Sequence, residues 1–147
     1  MKFNESIDIK GTSEALFNYT QDYNKRLSWD TFLIEARLLN NAIEADKGVR
    51  AWCVSKNGLG METEYVSFQR PKVAAIKMTK GPYMFKEFAA SWIFHESNGS
   101  TKMTFTYSFK FRFPFTIAGF FIHYILQRNV RQRLKDLKAK FEEKYLQ

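Results

Sequence analysis

The feature that most limits how this chain can fold lies in its last third. Residues 101–113 alternate apolar and polar side chains as a strand does, and Pro114 then ends the ladder. A single long basic helix, residues 116–145, follows. A strand feeding such a helix, with another strand at the start of the chain, points to a curved antiparallel sheet that grips a C-terminal helix around an apolar cavity. The space between sheet and helix suits a small hydrophobic molecule.

The rest of the chain reads consistently with that frame. Phe3, Glu5, Ile7 and Ile9 alternate with Asn4, Ser6, Asp8 and Lys10, giving a first strand. Gly11-Thr12-Ser13 ends it, and Ser13 is placed to cap a short helix over residues 14–20. A second short helix over 24–27 is closed by Ser28-Trp29-Asp30. Strands are then predicted over 31–40, 48–56, 59–69, 72–79, 84–96 and 101–113, with hairpin signals at Asn57-Gly58 and Asn98-Gly99. The predicted fold is α+β: seven antiparallel strands curved around a long C-terminal helix, with two short helices between strands one and two. A chain of 147 residues fits one domain, residues 1–147.

This layout resembles the START-like, helix-grip superfamily (SRPBCC), and within it the polyketide cyclase/dehydrase and lipid-transport branch. The residues that carry the resemblance are Ile7-Asp8-Ile9, Ser13-Glu14-Ala15-Leu16-Phe17, Asp22 and Trp29-Asp30 in the first part of the chain. Further on they are Ser91-Trp92-Ile93-Phe94, Gly99-Ser100-Thr101-Lys102-Met103-Thr104 and Leu134-Lys135-Asp136-Leu137-Lys138. The resemblance implies binding or transport of a lipid, isoprenoid or polyketide-like molecule. The alternative it implies is a polyketide cyclase or dehydratase working in the same cavity.

Composition narrows the classes. Fifteen Phe, seven Tyr and three Trp suit either a wide packed core or a cavity wall. The lone Cys53 excludes an internal disulfide, and with His95 and His123 it makes no metal-ligand spacing, so neither metal nor cofactor is expected. Met1-Lys2-Phe3-Asn4-Glu5 lacks a signal pattern, and the uncharged stretch 113–126 is short of the ~20 residues a bilayer demands. The expected compartment is cytoplasmic. Net charge is +8, concentrated on the last helix at Arg128, Arg131, Arg133, Lys135, Lys138, Lys140 and Lys144. That run reads as a solvated face, an anionic membrane surface or nucleic acid, the last disfavoured by the absence of a binding motif.

If Asn98-Gly99 is a two-residue turn, Phe94 faces Met103, Trp92 faces Phe105, Ala90 faces Tyr107 and Phe88 faces Phe109 on an apolar inner face. Even loops throughout would carry Val73, Ala75, Lys77, Glu62, Glu64, Val66, Phe68, Ala51 and Cys53 inside as well, setting Glu64 opposite Lys77 in the cavity. A slip of one residue would instead put Arg50, Trp52, Met61, Tyr65, Ile76 and Met78 inside. On the helix, Phe120, Tyr124, Gln127, Val130, Leu134, Leu137, Phe141 and Tyr145 form the expected seam, with His123 and Gln127 by the cavity mouth. The expected ligand-binding residues are therefore Glu64, Lys77, Phe88, Trp92, Phe105, Tyr107, Phe120 and Tyr124. Acid–base catalysis would have to come from Glu64, Lys77, Tyr107 or His123, which match no catalytic signature. Phe121, Ile122 and Ile125 lie off the seam, where a homodimer partner, a membrane surface or loops of the same domain could cover them.

Overall fold

The protein is described by a computed structural model over residues 1–145. β1 (Lys2–Lys10) leads into α1 (Ser13–Gln21) and α2 (Arg26–Trp29), and six strands follow: β2 (Leu33–Leu38), β3 (Arg50–Ser55), β4 (Gly60–Gln69), β5 (Val73–Lys80), β6 (Phe85–Ser97) and β7 (Ser100–Phe111). α3 (Gly119–Tyr145) ends the described chain. The strands form one antiparallel sheet in the order β1-β7-β6-β5-β4-β3-β2, so the first two strands of the chain, β1 and β2, are its edges. The sheet curls into a half-barrel around α3, which is the helix-grip architecture expected from the sequence.

The elements begin and end for local reasons. Thr12, not Ser13, caps α1: its backbone is extended and its hydroxyl accepts from the Ala15 N–H at 3.1 Å. Ser13 is the first helical residue, and its N–H donates to Glu96 Oε1 at 2.7 Å. Gly11 has φ +134°, and a Cβ there would lie 2.7 Å from the Phe141 ring, so the corner between β1 and α1 requires glycine. α3 starts at Gly119 because residues 112–119 first make successive four-residue turns, such as Ile117 N–H to Pro114 carbonyl at 3.1 Å.

The β6–β7 pairing is the expected one: Phe94 opposes Met103, Trp92 opposes Phe105, Ala90 opposes Tyr107 and Phe88 opposes Phe109. Asn98 and Gly99 both have positive φ (52° and 78°), as a two-residue primed turn requires. Elsewhere the even-loop assumption fails three times, at β5–β6, at β3–β4 and at β4–β5. At β4–β5, Gln69 opposes Val73 across residues 70–72, and the bulge after Tyr65 cancels the slip. Ala74 opposes Trp92 and Ile76 opposes Ala90, so the β5–β6 connection is odd and Val73, Ala75 and Lys77 face outward. Asn57-Gly58 belongs to a three-residue loop, with Ser55 N–H bonded to the Leu59 carbonyl at 2.9 Å and Gly58 at φ +85°. The β3–β4 slip cancels the β5–β6 slip, which is why Ala51 and Cys53 still face inward beside Thr63 and Met61.

On β4 the inner residues are therefore Met61, Thr63 and Tyr65, and a bulge between Tyr65 and Ser67 returns Phe68 to the same face opposite Ala74. Val66, expected inside, is exposed. Of the alternative inner set, Met61, Tyr65, Ile76 and Met78 pack against the core, whereas Arg50 and Trp52 do not. Trp52 lies on the outer face with its indole against Gly60, where a Cβ would come within 2.4 Å of the ring.

The buried core runs along the concave side. Phe68 and Phe94 each pack edge to face with Phe17 at one end, with centroids 5.1 and 5.2 Å from it. Phe3, Phe85, Phe109 and Phe111 fill the other end. Val130, Leu134, Leu137 and Phe141 of α3 close the middle, all at most 3% exposed. Among the described residues, no helix is long and apolar enough to cross a membrane.

Candidate functional site

Between α3 and the inner face of β3–β7 the side chains leave a cavity of about 320 Å³. β6 and β7 supply its aromatic wall: Phe88, Ala90, Trp92, Phe105 and Tyr107. The rings of Trp92 and Phe105 are 3.9 Å apart, those of Phe105 and Tyr107 4.9 Å, and those of Phe88 and Tyr107 4.8 Å. Cys53, Met61, Thr63, Tyr65 and Ile76 line the side toward β3–β5, and Ile122, Ile125, Leu126 and Asn129 line it from α3. A second groove of about 370 Å³, between α1 and β2, is lined largely by polar side chains such as Asn18, Asp22, Asn24 and Arg37. Only the first has the apolar wall and convergent polar groups of a small-molecule site.

A buried ion cluster forms part of the wall. Asp30, with no exposed surface, closes α2, where the backbone bond from Asp30 N–H to the Arg26 carbonyl (2.9 Å) sets Arg26 one turn away. Arg26 Nε donates to Asp30 Oδ2 at 2.8 Å. Arg133, from the middle of α3, donates through Nε to Oδ1 at 3.0 Å and through Nη2 to Oδ2 at 2.8 Å, a two-pronged pairing. Its Nη1 donates to the Tyr107 hydroxyl at 2.6 Å. Arg26 lies over the rings of Trp29, Tyr23 and Trp92, and Arg133 over Phe32 and Phe105, so aromatic faces flank both cations. Alongside, Tyr65 donates to Gln21 Oε1 at 2.7 Å and lies 3.2 Å from the Tyr23 hydroxyl.

Burial and charge set the protonation states. Burial pushes the Asp30 carboxyl up, but Arg133 and then Arg26 outweigh it and hold it at about 2, below its usual 3.8. Burial disfavours charge on both arginines, and Asp30 more than offsets this, so both stay protonated. Burial raises the Tyr23 and Tyr65 hydroxyls and the Cys53 thiol, leaving all three neutral at neutral pH.

Of the eight residues expected to bind ligand, Phe88, Trp92, Phe105 and Tyr107 border the cavity. The other four do not. Lys77 is exposed on the outer face, and Glu64 is on that face too, bonded to Arg50 at 3.0 Å, because the odd β5–β6 connection inverts the register. Glu62 joins them there, bonded to Thr79 at 2.6 Å. Phe120 and Tyr124 are 87% and 58% exposed. Stepping back from Val130 by threes to Gln127 and Tyr124 turns about 60° off the seam each time, whereas steps of four lead to Leu126 and Ile122, which do face the cavity.

Ile122 and Ile125, expected on an outer patch, thus belong to the cavity, while Phe121 is 68% exposed. The solvent-facing patch at the start of α3 consists instead of Phe113, Ile117, Phe120, Phe121 and Tyr124. His123 packs against Phe3 and Phe109, and Gln127 donates to Glu5 at 2.8 Å, so both face β1 rather than the cavity mouth.

The cluster of Arg26, Asp30 and Arg133 was not anticipated from the sequence, where Arg133 counted as part of a solvated basic run. Two signals pointed to it. Arg26 and Asp30 are four apart next to Trp29, and Arg133 falls between Val130 and Leu137 on the apolar seam.

No curated protein matches the chain. Solved structures do match in fold. A START superfamily protein from Mycobacterium smegmatis superposes with TM-score 0.81 at 10% identity, over 97% of this chain and 97% of its own. The Zhui aromatase/cyclase of a Streptomyces species gives 0.82 at 11% identity, over 97% of this chain and 93% of its own. The di-domain ARO/CYC StfQ from the steffimycin biosynthetic pathway gives 0.79 at 12% identity, over 97% of this chain and 51% of its own. At these identities the likeness shows a START-like fold and no more. The profile of one family matches residues 1–142, and by that match the chain belongs to the polyketide cyclase / dehydrase and lipid transport family.

Proposed function

We propose that this chain binds and carries a hydrophobic small molecule of the lipid, isoprenoid or polyketide-like kind in the cavity between sheet and α3. The observation that carries the reading is the cavity itself, about 320 Å³ behind a wall of aromatic rings. Protein interiors are packed as densely as organic crystals, with few voids larger than a water molecule. The space opens to solvent, and its largely apolar wall gains about 25 cal/mol for each Å² of apolar surface that a hydrophobic occupant takes out of water. A space that large behind a wall of aromatic rings suits an apolar occupant.

The test is solvent extraction of the purified protein followed by mass spectrometry, against the same host lacking it, together with titration by the fluorescent hydrophobe phenylnaphthylamine. A stoichiometric apolar compound or saturable dye uptake is expected. An empty protein that takes up no dye defeats the proposal.

Cyclisation or dehydration in the same cavity is the second reading, supported by the family and by the fold shared with aromatase/cyclases. Of the four acid–base candidates, only Tyr107 borders the cavity. The hydroxyl of Tyr107, held by protonated Arg133 at 2.6 Å, is the group to which we assign a proton-donating role in such a reaction. Tyr107→Phe leaving turnover intact, with any polyketide-like substrate found to react, removes that role.

A further inference from the structure

We infer that the cavity's ligand is an amphiphile with a single negative charge, a carboxylate-class head, seated against Arg26. The inference rests on the reading that the cavity holds a hydrophobic molecule and adds which end of it the protein recognises.

The argument is one of unmatched charge. Arg26 and Arg133 are each 7% exposed, and the carboxylate they share, Asp30, is fully buried. Two guanidinium groups face one carboxylate, so one buried positive charge is left over. The hydrogen bonds identify which. Both oxygens of Asp30 are taken by Arg133 in a two-pronged pair, with the third donor of Arg133 on Tyr107. Arg26 gives only its Nε to Asp30, and among the described residues no other carboxylate meets its terminal amino groups.

Nothing else on the wall can supply the missing charge. Among the described residues the lining contains no Asp or Glu besides Asp30 behind it, and its remaining titratable groups are Tyr23, Tyr65, Tyr107 and Cys53. Arg26 shares its carboxylate with Arg133, so its terminal amino groups have no carboxylate of their own, and a ligand anion there gains a charge-assisted bond. The Tyr23, Trp29 and Trp92 rings lie 5.1–5.7 Å from the Arg26 guanidinium carbon, and the two terminal amino groups left by the Asp30 bond suit a planar two-oxygen acceptor. A carboxylate matches that pair in shape and brings the cluster to neutrality. A doubly charged phosphate would leave a buried negative charge. The tail then lies along Trp92, Phe105 and Phe88.

The test displaces phenylnaphthylamine from the wild-type chain at neutral pH with dodecanoic acid and, separately, with its methyl ester. The acid is expected to compete at least tenfold more tightly, a difference of about 1.4 kcal/mol. Arg26→Met, which leaves the neutral Arg133–Asp30 pair, is expected to bring the acid down to the level of the ester in the same variant. Equal competition by acid and ester in the wild-type chain overturns the inference and leaves the hydrophobic-cavity reading standing. So does an acid preference that survives Arg26→Met in a variant with native circular dichroism. A protein that takes up neither dye nor competitor overturns both readings. Because the wild-type comparison decides the matter by itself, a variant that fails to fold leaves the test intact.

Discussion

Replacing Asp30 with asparagine keeps the shape of the side chain but removes the one negative charge that two buried guanidinium groups share. Two routes give the size of the effect. Asp30 is held at about 2 against a usual 3.8, and at about 1.4 kcal/mol for each tenfold change in proton affinity this contributes about 2–3 kcal/mol of stability at neutral pH. Removing one partner of a buried ion pair typically costs about 3–5 kcal/mol, because the remaining charge is stranded. We therefore expect Asp30→Asn to lose about 3 kcal/mol, a large share of the roughly 5–15 kcal/mol of a typical domain.

The assay is urea unfolding followed by tryptophan fluorescence, since Trp29 and Trp92 pack against each other with centroids 6.0 Å apart beside the cluster. With a slope of about 2 kcal/mol per M, the midpoint should fall by roughly 1.5 M. The pH dependence has a definite sign. A carboxyl depressed in the folded state stabilises above its unfolded pKa, and that contribution fades as pH falls toward the folded value. The gap between wild type and Asp30→Asn should be full above about pH 5 and roughly halved at pH 3. Combining Arg26→Met, Asp30→Leu and Arg133→Met should restore most of the loss, as apolar replacement of a buried ion network commonly does. A midpoint change below about 0.5 M, or a gap equal at pH 7 and pH 3, would refute the reasoning.

Other outcomes follow from the packing. Gly11→Ala forces a Cβ against the Phe141 ring at φ +134° and should cost more than about 1 kcal/mol, seen as a thermal midpoint lowered by several degrees. Ala90→Phe projects into the cavity between Phe88 and Trp92. It should abolish uptake of phenylnaphthylamine while losing no more than about 1–3 kcal/mol in urea unfolding. Phe120→Ser and Tyr124→Ser lie on exposed positions and should change stability by less than about 0.5 kcal/mol, with dye affinity unchanged. Glu64→Gln and Lys77→Gln, on the outer face, should likewise leave dye affinity unaltered in the same titration.

Order of elements, fold class and the β6–β7 register were legible in the sequence because they depend on neighbours. A two-residue Asn98-Gly99 turn with positive φ ties the parity of β6 to that of β7, and alternation then sorts Phe88, Trp92, Phe105 and Tyr107 to one face. The odd β5–β6 connection, the three-residue loop at Asn57-Gly58 and the bulge after Tyr65 leave no comparable local signature. Side-chain period is two, so each of these inverts a strand, and Glu64 and Lys77 went to the wrong face together. The N-terminal half of α3 is ambiguous for a related reason: apolar residues occur all around it, so only contact with the sheet selects Ile122 and Leu126 over Phe120 and Tyr124. The ion cluster lay furthest from reach. Arg26 and Asp30 are close in sequence, but Arg133 joins them from more than a hundred residues away. Only the closing of the sheet on α3 makes one of seven helix cations a buried one, because burial is a property of what lies opposite and not of the residue itself.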